Sequence, residues 1–214
     1  MSGIFLHEKT AIPLKPVVTE TADKKHLLEN LRIEEIGECT RCRLSEKRTN
    51  IVFGEGNPES DIMFIGEGPG EDEDRQGRPF VGRAGQVLRS LIKKMGFAEK
   101  DVYIANVVKC RPPGNRNPEQ DEVDSCIPFL KKQIDIISPK VIVLLGNVAL
   151  QHLTGSRLRI TAARGKFMEY KGIKVMPTFH PSYLLRNPKD KWLTWEDAVM
   201  VLRYLGMAVK EPGS

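Results

Sequence analysis

Four cysteines are the residues here whose type and spacing most directly imply chemistry. Cys39 and Cys42 form a Cys-x-x-Cys pair, and Cys110 and Cys126 follow with 15 residues between them. Four thiolates can hold Zn²⁺ or an iron–sulfur cluster. Zinc sites usually close with two tight knuckles, whereas here one pair is tight and the other two thiols are scattered. That spacing leans towards a cluster without deciding the matter. A redox dithiol is a third chemistry, but such a pair normally opens a helix and this one follows one. Burial as an apolar filler would account for Cys126. It would not account for Cys110, which sits among Arg111, Pro112 and Pro113.

Disulfides are the weaker expectation. The N-terminus has no apolar stretch of the secretory kind, so a cytoplasmic, reducing location is expected. No run of about 18 apolar residues is present, so no membrane span is expected. The 214 residues carry 33 Lys+Arg against 28 Asp+Glu, a net charge of +5, which is compatible with a polyanionic partner without requiring one.

Other chemistry-bearing side chains stand where apolar runs end. Glu67 follows Asp61–Gly66, Asn106 closes a run of Tyr, Ile and Ala, and His180 follows Val175–Phe179. Phe80 lies in a loop beside Arg78, Pro79 and Gly82, where a flat ring can offer its face to a base. The elements positioning them read clearly. Helices are expected over 22–36, 84–95, 117–137, 147–153 and 189–205, the third opened by Asn117 and Pro118 as N-cap and N1, the last burying Trp192, Trp195, Val199 and Leu202. Strands are expected over 61–66, 102–108, 140–146 and 175–179. Strands apolar on both faces, alternating with helices, predict a three-layer α/β/α sandwich around a mainly parallel four-stranded sheet. Its site should lie beyond the carboxyl ends of the strands. Residues 1–22 read as a flexible extension, 23–209 as one domain and 210–214 as a tail.

Three ordered segments carry a resemblance: Gly66-Glu-Gly-Pro-Gly-Glu-Asp-Glu73 running on to Gly77-Arg-Pro-Phe-Val-Gly-Arg-Ala-Gly85, Asn106-Val-Val-Lys-Cys-Arg-Pro-Pro-Gly-Asn-Arg116, and His180-Pro-Ser-Tyr-Leu-Leu-Arg186. With the spaced cysteines, they closely resemble the family 4 uracil-DNA glycosylases, the iron–sulfur branch of that superfamily, over about residues 25–208. One departure is Gly68, where the family more often has Ala; both are small. The segment after Lys109 lacks the reactive His of the superfamily's covalent-trapping branch, so turnover is expected.

The resemblance implies hydrolysis of the uracil N-glycosidic bond in single- or double-stranded DNA, leaving an abasic site. It implies one [4Fe–4S] cluster on Cys39, Cys42, Cys110 and Cys126, chiefly structural. Phe80 would stack on uracil, and Asn106 would match its O4 and N3–H edge, which cytosine reverses. His180 would stabilise the charge developing on O2, and Glu67 would position water or support the sugar cation. Gly68 would present backbone N–H and Glu73 would exclude thymine's methyl group, while Asp72 and Asp74 read as solvated loop charges. Leu184 would wedge the base stack, with Leu185 as second choice. Arg83, Arg164, Lys166, Ser182 and Arg186 would contact phosphates. A monomer is expected, with 1–22 a tether for a repair or replication partner that nothing positive supports. Two other classes compete: a non-catalytic DNA-binding module with a zinc site of four cysteines, and a dinucleotide fold, whose glycine spacing is wrong.

Overall fold

Each apolar run marked as a buried strand forms one in the computed structural model, which describes residues 23–209. The extension 1–22 and the tail 210–214 lie outside the described residues. Strands are β1 (Glu55–Gly56), β2 (Ile62–Gly66), β3 (Tyr103–Asn106), β4 (Val141–Leu145), β5 (Met168–Tyr170) and β6 (Ile173–Thr178). Helices are α1 (Lys24–Asn30), α2 (Glu71–Gln76), α3 (Arg83–Lys94), α4 (Gln120–Ile137), α5 (Gly146–Thr154), α6 (Ile160–Ala163), α7 (Pro181–Arg186) and α8 (Lys191–Tyr204).

The sheet order is β1-β3-β2-β4-β6-β5. The four central strands are mutually parallel, as expected, and two short antiparallel edge strands extend the sheet to six. Glu55–Gly56 and Met168–Tyr170 are too short to leave an alternating pattern, which is why the sequence shows only the central four.

Side-chain alternation divides the core. Met63, Ile65, Ala105, Ile142, Leu144 and Val175 face α4 and α5, while Ile62, Phe64, Ile104, Val141, Val143 and Met176 face α3 and α8. Helices thus cover both sheet faces. The chain runs from β2 to β3 on one side and returns to β4 on the other, so a crevice opens beyond their carboxyl ends.

Three local expectations need correction. The helix expected to open at Asn117–Pro118 begins at Gln120. Glu122 accepts from Glu119 N at 2.7 Å and pairs with Arg116 at 2.6 Å, and this fixes the start one turn later. The first helix changes pitch: α1 runs into a π-helical stretch, Leu31–Ile36, closed by Gly37 N donating to Arg32 O. On α8, Leu202 is buried and Trp195 packs partly buried against the core as expected, but Trp192 is 58% exposed, and Thr194, Asp197, Ala198 and Val201 complete the buried face. The helix starts at Lys191 behind a 3₁₀ turn, Pro188–Asp190, which rotates Trp192 outward.

Candidate active site

Gly66, the last residue of β2, is where the pocket closes. A Cβ there would lie 2.5 Å from both Asn106 Oδ1 and Phe80 Cζ, so its missing side chain lets both approach. Asn106 ends β3 beside it in parallel register. It is 2% exposed, and its Oδ1 is buried with no hydrogen-bond partner among the described residues. A buried acceptor without a donor is uncommon enough to need a cause.

Phe80 sits at φ +52°, the left-handed region that bulky side chains rarely enter. The surrounding loop enforces this. Gly85 packs against the Phe80 carbonyl so tightly that a Cβ would fall 1.7 Å from its oxygen. Glu73 accepts from Gly70 N at 3.1 Å and from Gly82 N at 2.8 Å, bracing the loop from within. Asp74, expected in solvent, is buried and accepts from Thr49 N at 2.9 Å. The short helix α2 turns it inward, which the loop composition alone did not reveal.

His180 stands opposite Phe80, ring centroids 6.0 Å apart and tilted by 38°. Its Nδ1 accepts from Ser182 N at 3.2 Å and lies 2.8 Å from Ser182 Oγ. A backbone N–H can only donate, so Nδ1 is the acceptor and the neutral ring carries its proton on Nε2. Burial, helped by the Arg186 charge, pulls His180 from 6.5 down to about 4. Gly146, at φ +91°, packs beneath it, and a Cβ there would lie 2.9 Å from His180 Cβ. Glu67 is half-buried, has no ion pair among the described residues, and burial raises its carboxyl above the usual value. Gly68 contacts Val108, whose Cγ2 would lie 2.7 Å from an added Cβ, so alanine here would require Val108 to move.

Behind Asn106 lies a group that the motif reading passed over. Lys109 is 1% exposed, and its Nζ donates to Asn106 O at 2.9 Å and Gln133 Oε1 at 2.6 Å. Its only sequence signal is a charge following Val107 and Val108 just beyond a buried strand. Gly146 likewise shows only as a glycine at a strand's carboxyl end.

The cysteines gather from three segments, and all four are free thiols. Burial pushes the Cys42, Cys110 and Cys126 thiols up, Cys110 to about 12, and each of the three lies near enough to another cysteine for their titrations to interact. Among the described residues no set of three or more Cys, His, Asp or Glu forms a ready-made metal group. The donor set nonetheless fits an anionic thiolate centre, because N–H groups aim at three sulfurs. Arg41 reaches Cys39 Sγ at 3.2 Å, Arg48 reaches Cys110 Sγ at 3.7 Å, and Lys109 N reaches Cys126 Sγ at 3.2 Å.

The residues expected to face phosphate separate into two groups. Arg83, Lys166 and Arg186 are exposed, and Arg83 lines a groove of ≈ 390 Å³ with Leu185, Lys94, Lys191 and Trp195. Arg164 is committed elsewhere: it pairs with Asp197 at 2.6 Å and donates to Leu193 O, so its guanidinium ties α8 to the sheet edge. Ser182 is engaged with His180. Leu184, first choice for the wedge, is 3% exposed in the core, whereas Leu185 is 42% exposed. α7 is a single short helix, and its register turns one leucine in and the next out.

This three-layer chain, with Asn106, Phe80 and His180 gathered at the carboxyl edge of its sheet, matches the family model of the uracil DNA glycosylase superfamily over residues 53–199, and the chain belongs to that superfamily. A type-4 uracil-DNA glycosylase of Thermotoga maritima is 54% identical over 160 residues, covering 74% of this chain and 83% of the relative. One from Sulfurisphaera tokodaii is 48% identical over 179 residues, covering 79% and 81%. A type-5 uracil-DNA glycosylase of Pyrobaculum aerophilum stands at 31%, covering 69% and 72%. Within the superfamily, the chain is a member of the type-4 uracil-DNA glycosylases.

Proposed function

We propose that this protein is a DNA-repair enzyme that flips uracil out of single- or double-stranded DNA and hydrolyses its N-glycosidic bond. Water adds at C1′, the C1′–N1 electron pair leaves with uracil, and the products are free uracil and an abasic site. The carrying observation is the orphaned Asn106 Oδ1, which meets Phe80 at Gly66, with the His180 ring 6.0 Å from that of Phe80. An imide N3–H is the donor that this acceptor lacks, and uracil has one where cytosine has none.

Each role follows from the side chain's surroundings. The target base must leave its stack to be reached, and Phe80, locked by its loop, offers it a flat face. Asn106 reads the O4 and N3–H edge. His180, neutral with Nε2–H free to donate, meets the charge developing on O2, where one such donor is worth roughly 2.7–4 kcal/mol. Glu67 faces the sugar side as the carboxylate that orients water or supports the oxocarbenium-like centre. Gly68 supplies backbone N–H, and Glu73 holds the loop whose wall excludes a C5 methyl. Arg83, Lys166 and Arg186 serve the phosphates, and Leu185, rather than Leu184, fills the gap left by the flipped base.

Cys39, Cys42, Cys110 and Cys126 would hold one [4Fe–4S] cluster, which when bound supplies a cross-link between three chain segments. The hydrolysis balances without electron transfer. A reducing, cytoplasmic setting and a monomeric state fit free thiols and a one-domain fold. No helix among the described residues is long and apolar enough to cross a membrane.

The test is a uracil-containing oligonucleotide incubated with freshly purified protein, then alkali to cut at abasic sites. Cleavage only at the uracil position is expected, and intact strands would overturn the proposal. Asn106→Ala and His180→Ala should each lose roughly 10²–10³ in rate while folding normally. Full activity in either would remove that residue from the mechanism. Elemental analysis decides iron against zinc.

A further inference from the structure

Lys109 is an anomaly that base recognition does not require. It is fully enclosed, and among the described residues no carboxylate pairs with it. Keeping an ammonium there is expensive when a leucine or methionine would fill the volume at lower cost. What the lysine does hold is specific. One N–H goes to the backbone carbonyl of Asn106 and another to Gln133 on α4. Gln133 is itself fixed, donating to Phe53 O at 3.0 Å and lying 3.4 Å from Tyr103 Oη. The turn that carries Lys109 is pinned too: Val107 N and Val108 N donate to Gly66 O and Glu67 O, and Val52 N donates to Lys109 O.

The Asn106 peptide is therefore gripped from behind, while its side-chain oxygen stands unpartnered in the pocket. The ladder continues past Asn106 through Val107 N and Val108 N, but the Asn106 carbonyl itself is taken by the Lys109 ammonium, so without this grip that peptide could tilt and carry its carboxamide with it. We propose that Lys109, anchored by Gln133, is a positioning residue for uracil recognition, fixing the Asn106 backbone so that its carboxamide meets the base edge. The inference rests on the assignment of Asn106 to uracil.

The experiment is a double-mutant cycle between Lys109→Met and Asn106→Ala, reading kcat and KM for excision, inhibition by free uracil, melting temperature and iron content. Lys109→Met alone should lower kcat roughly tenfold to a hundredfold, the scale of a misplaced reacting group. Inhibition by free uracil should weaken in step, with iron content and melting held near wild type. In the Asn106→Ala background the same change should have no further effect on kcat, because the route through which it acts is gone. Additive losses, or unchanged uracil inhibition, would overturn the proposal. Should Lys109→Met fail to fold, Gln133→Leu runs the same cycle, removing the anchor and leaving the lysine. A wild-type protein that releases no uracil would instead sink the enzymatic assignment itself, a separate outcome.

Discussion

At the base pocket, burial acts in opposite senses on the two groups closest to the proposed chemistry. It raises Glu67 above the ordinary carboxylate value of 4.5 and lowers His180 from 6.5 to about 4. A carboxylate whose value is raised by burial loses its charge earlier as pH falls, so on the proposed mechanism Glu67 carries the acid limb of excision. Activity should fall as pH drops through the raised Glu67 value, and Glu67→Gln should be slow and lack that limb. A pH–rate profile of both proteins checks this; an unchanged limb in Glu67→Gln would assign it elsewhere. A neutral His180 suits its role, since a permanent cation would bind the uracil anion as product too tightly to gain from the transition state alone. The chemical types at these positions were legible from the sequence. The Nε2–H tautomer was not, because it is set by Ser182 N.

Among the elements, α7 gathers several of the residues proposed for function. Six residues carry His180's partner Ser182, the core residue Leu184, the exposed Leu185 and the cation Arg186. Leu184→Ala should cost about 2–5 kcal/mol of stability, as for other buried leucines, with kcat per folded molecule little changed. Leu185→Ala should leave the melting temperature unaltered and slow excision from duplex more than from single strands, where no stack needs a wedge. Thermal melts and paired single- and double-strand assays separate the two, and the reverse pattern would return the wedge to Leu184. The sequence placed both leucines in a loop beyond the last central strand, whereas the structure puts them on the short helix α7. Which of them faces solvent depends on the docking of α7 against α3.

Across the whole molecule, the cysteines lie on the segment after the first helix, on the Cys110 loop and on α4, which also carries Gln133. On the proposed account their cluster fastens these pieces from behind the pocket. Cys126→Ala should therefore lose iron together with solubility and melting temperature, while the rate per correctly folded molecule changes less. Loss of iron with stability intact would overturn the structural role. By itself the sequence determined the parallel core and the loops that converge at its carboxyl edge, and it named many of the side chains there while passing over Lys109 and Gly146. Apolar runs and glycine spacing depend on local composition, which a chain displays directly. Only the tertiary structure decided that Arg164 and Asp74 are internal, that Leu185 is outside, that Glu73 braces a loop, and that Lys109 stands behind Asn106. Each of these depends on which partner a side chain meets once the chain is folded, and for Arg164 and Asp74 those partners, Asp197 and Thr49, lie 33 and 25 residues away.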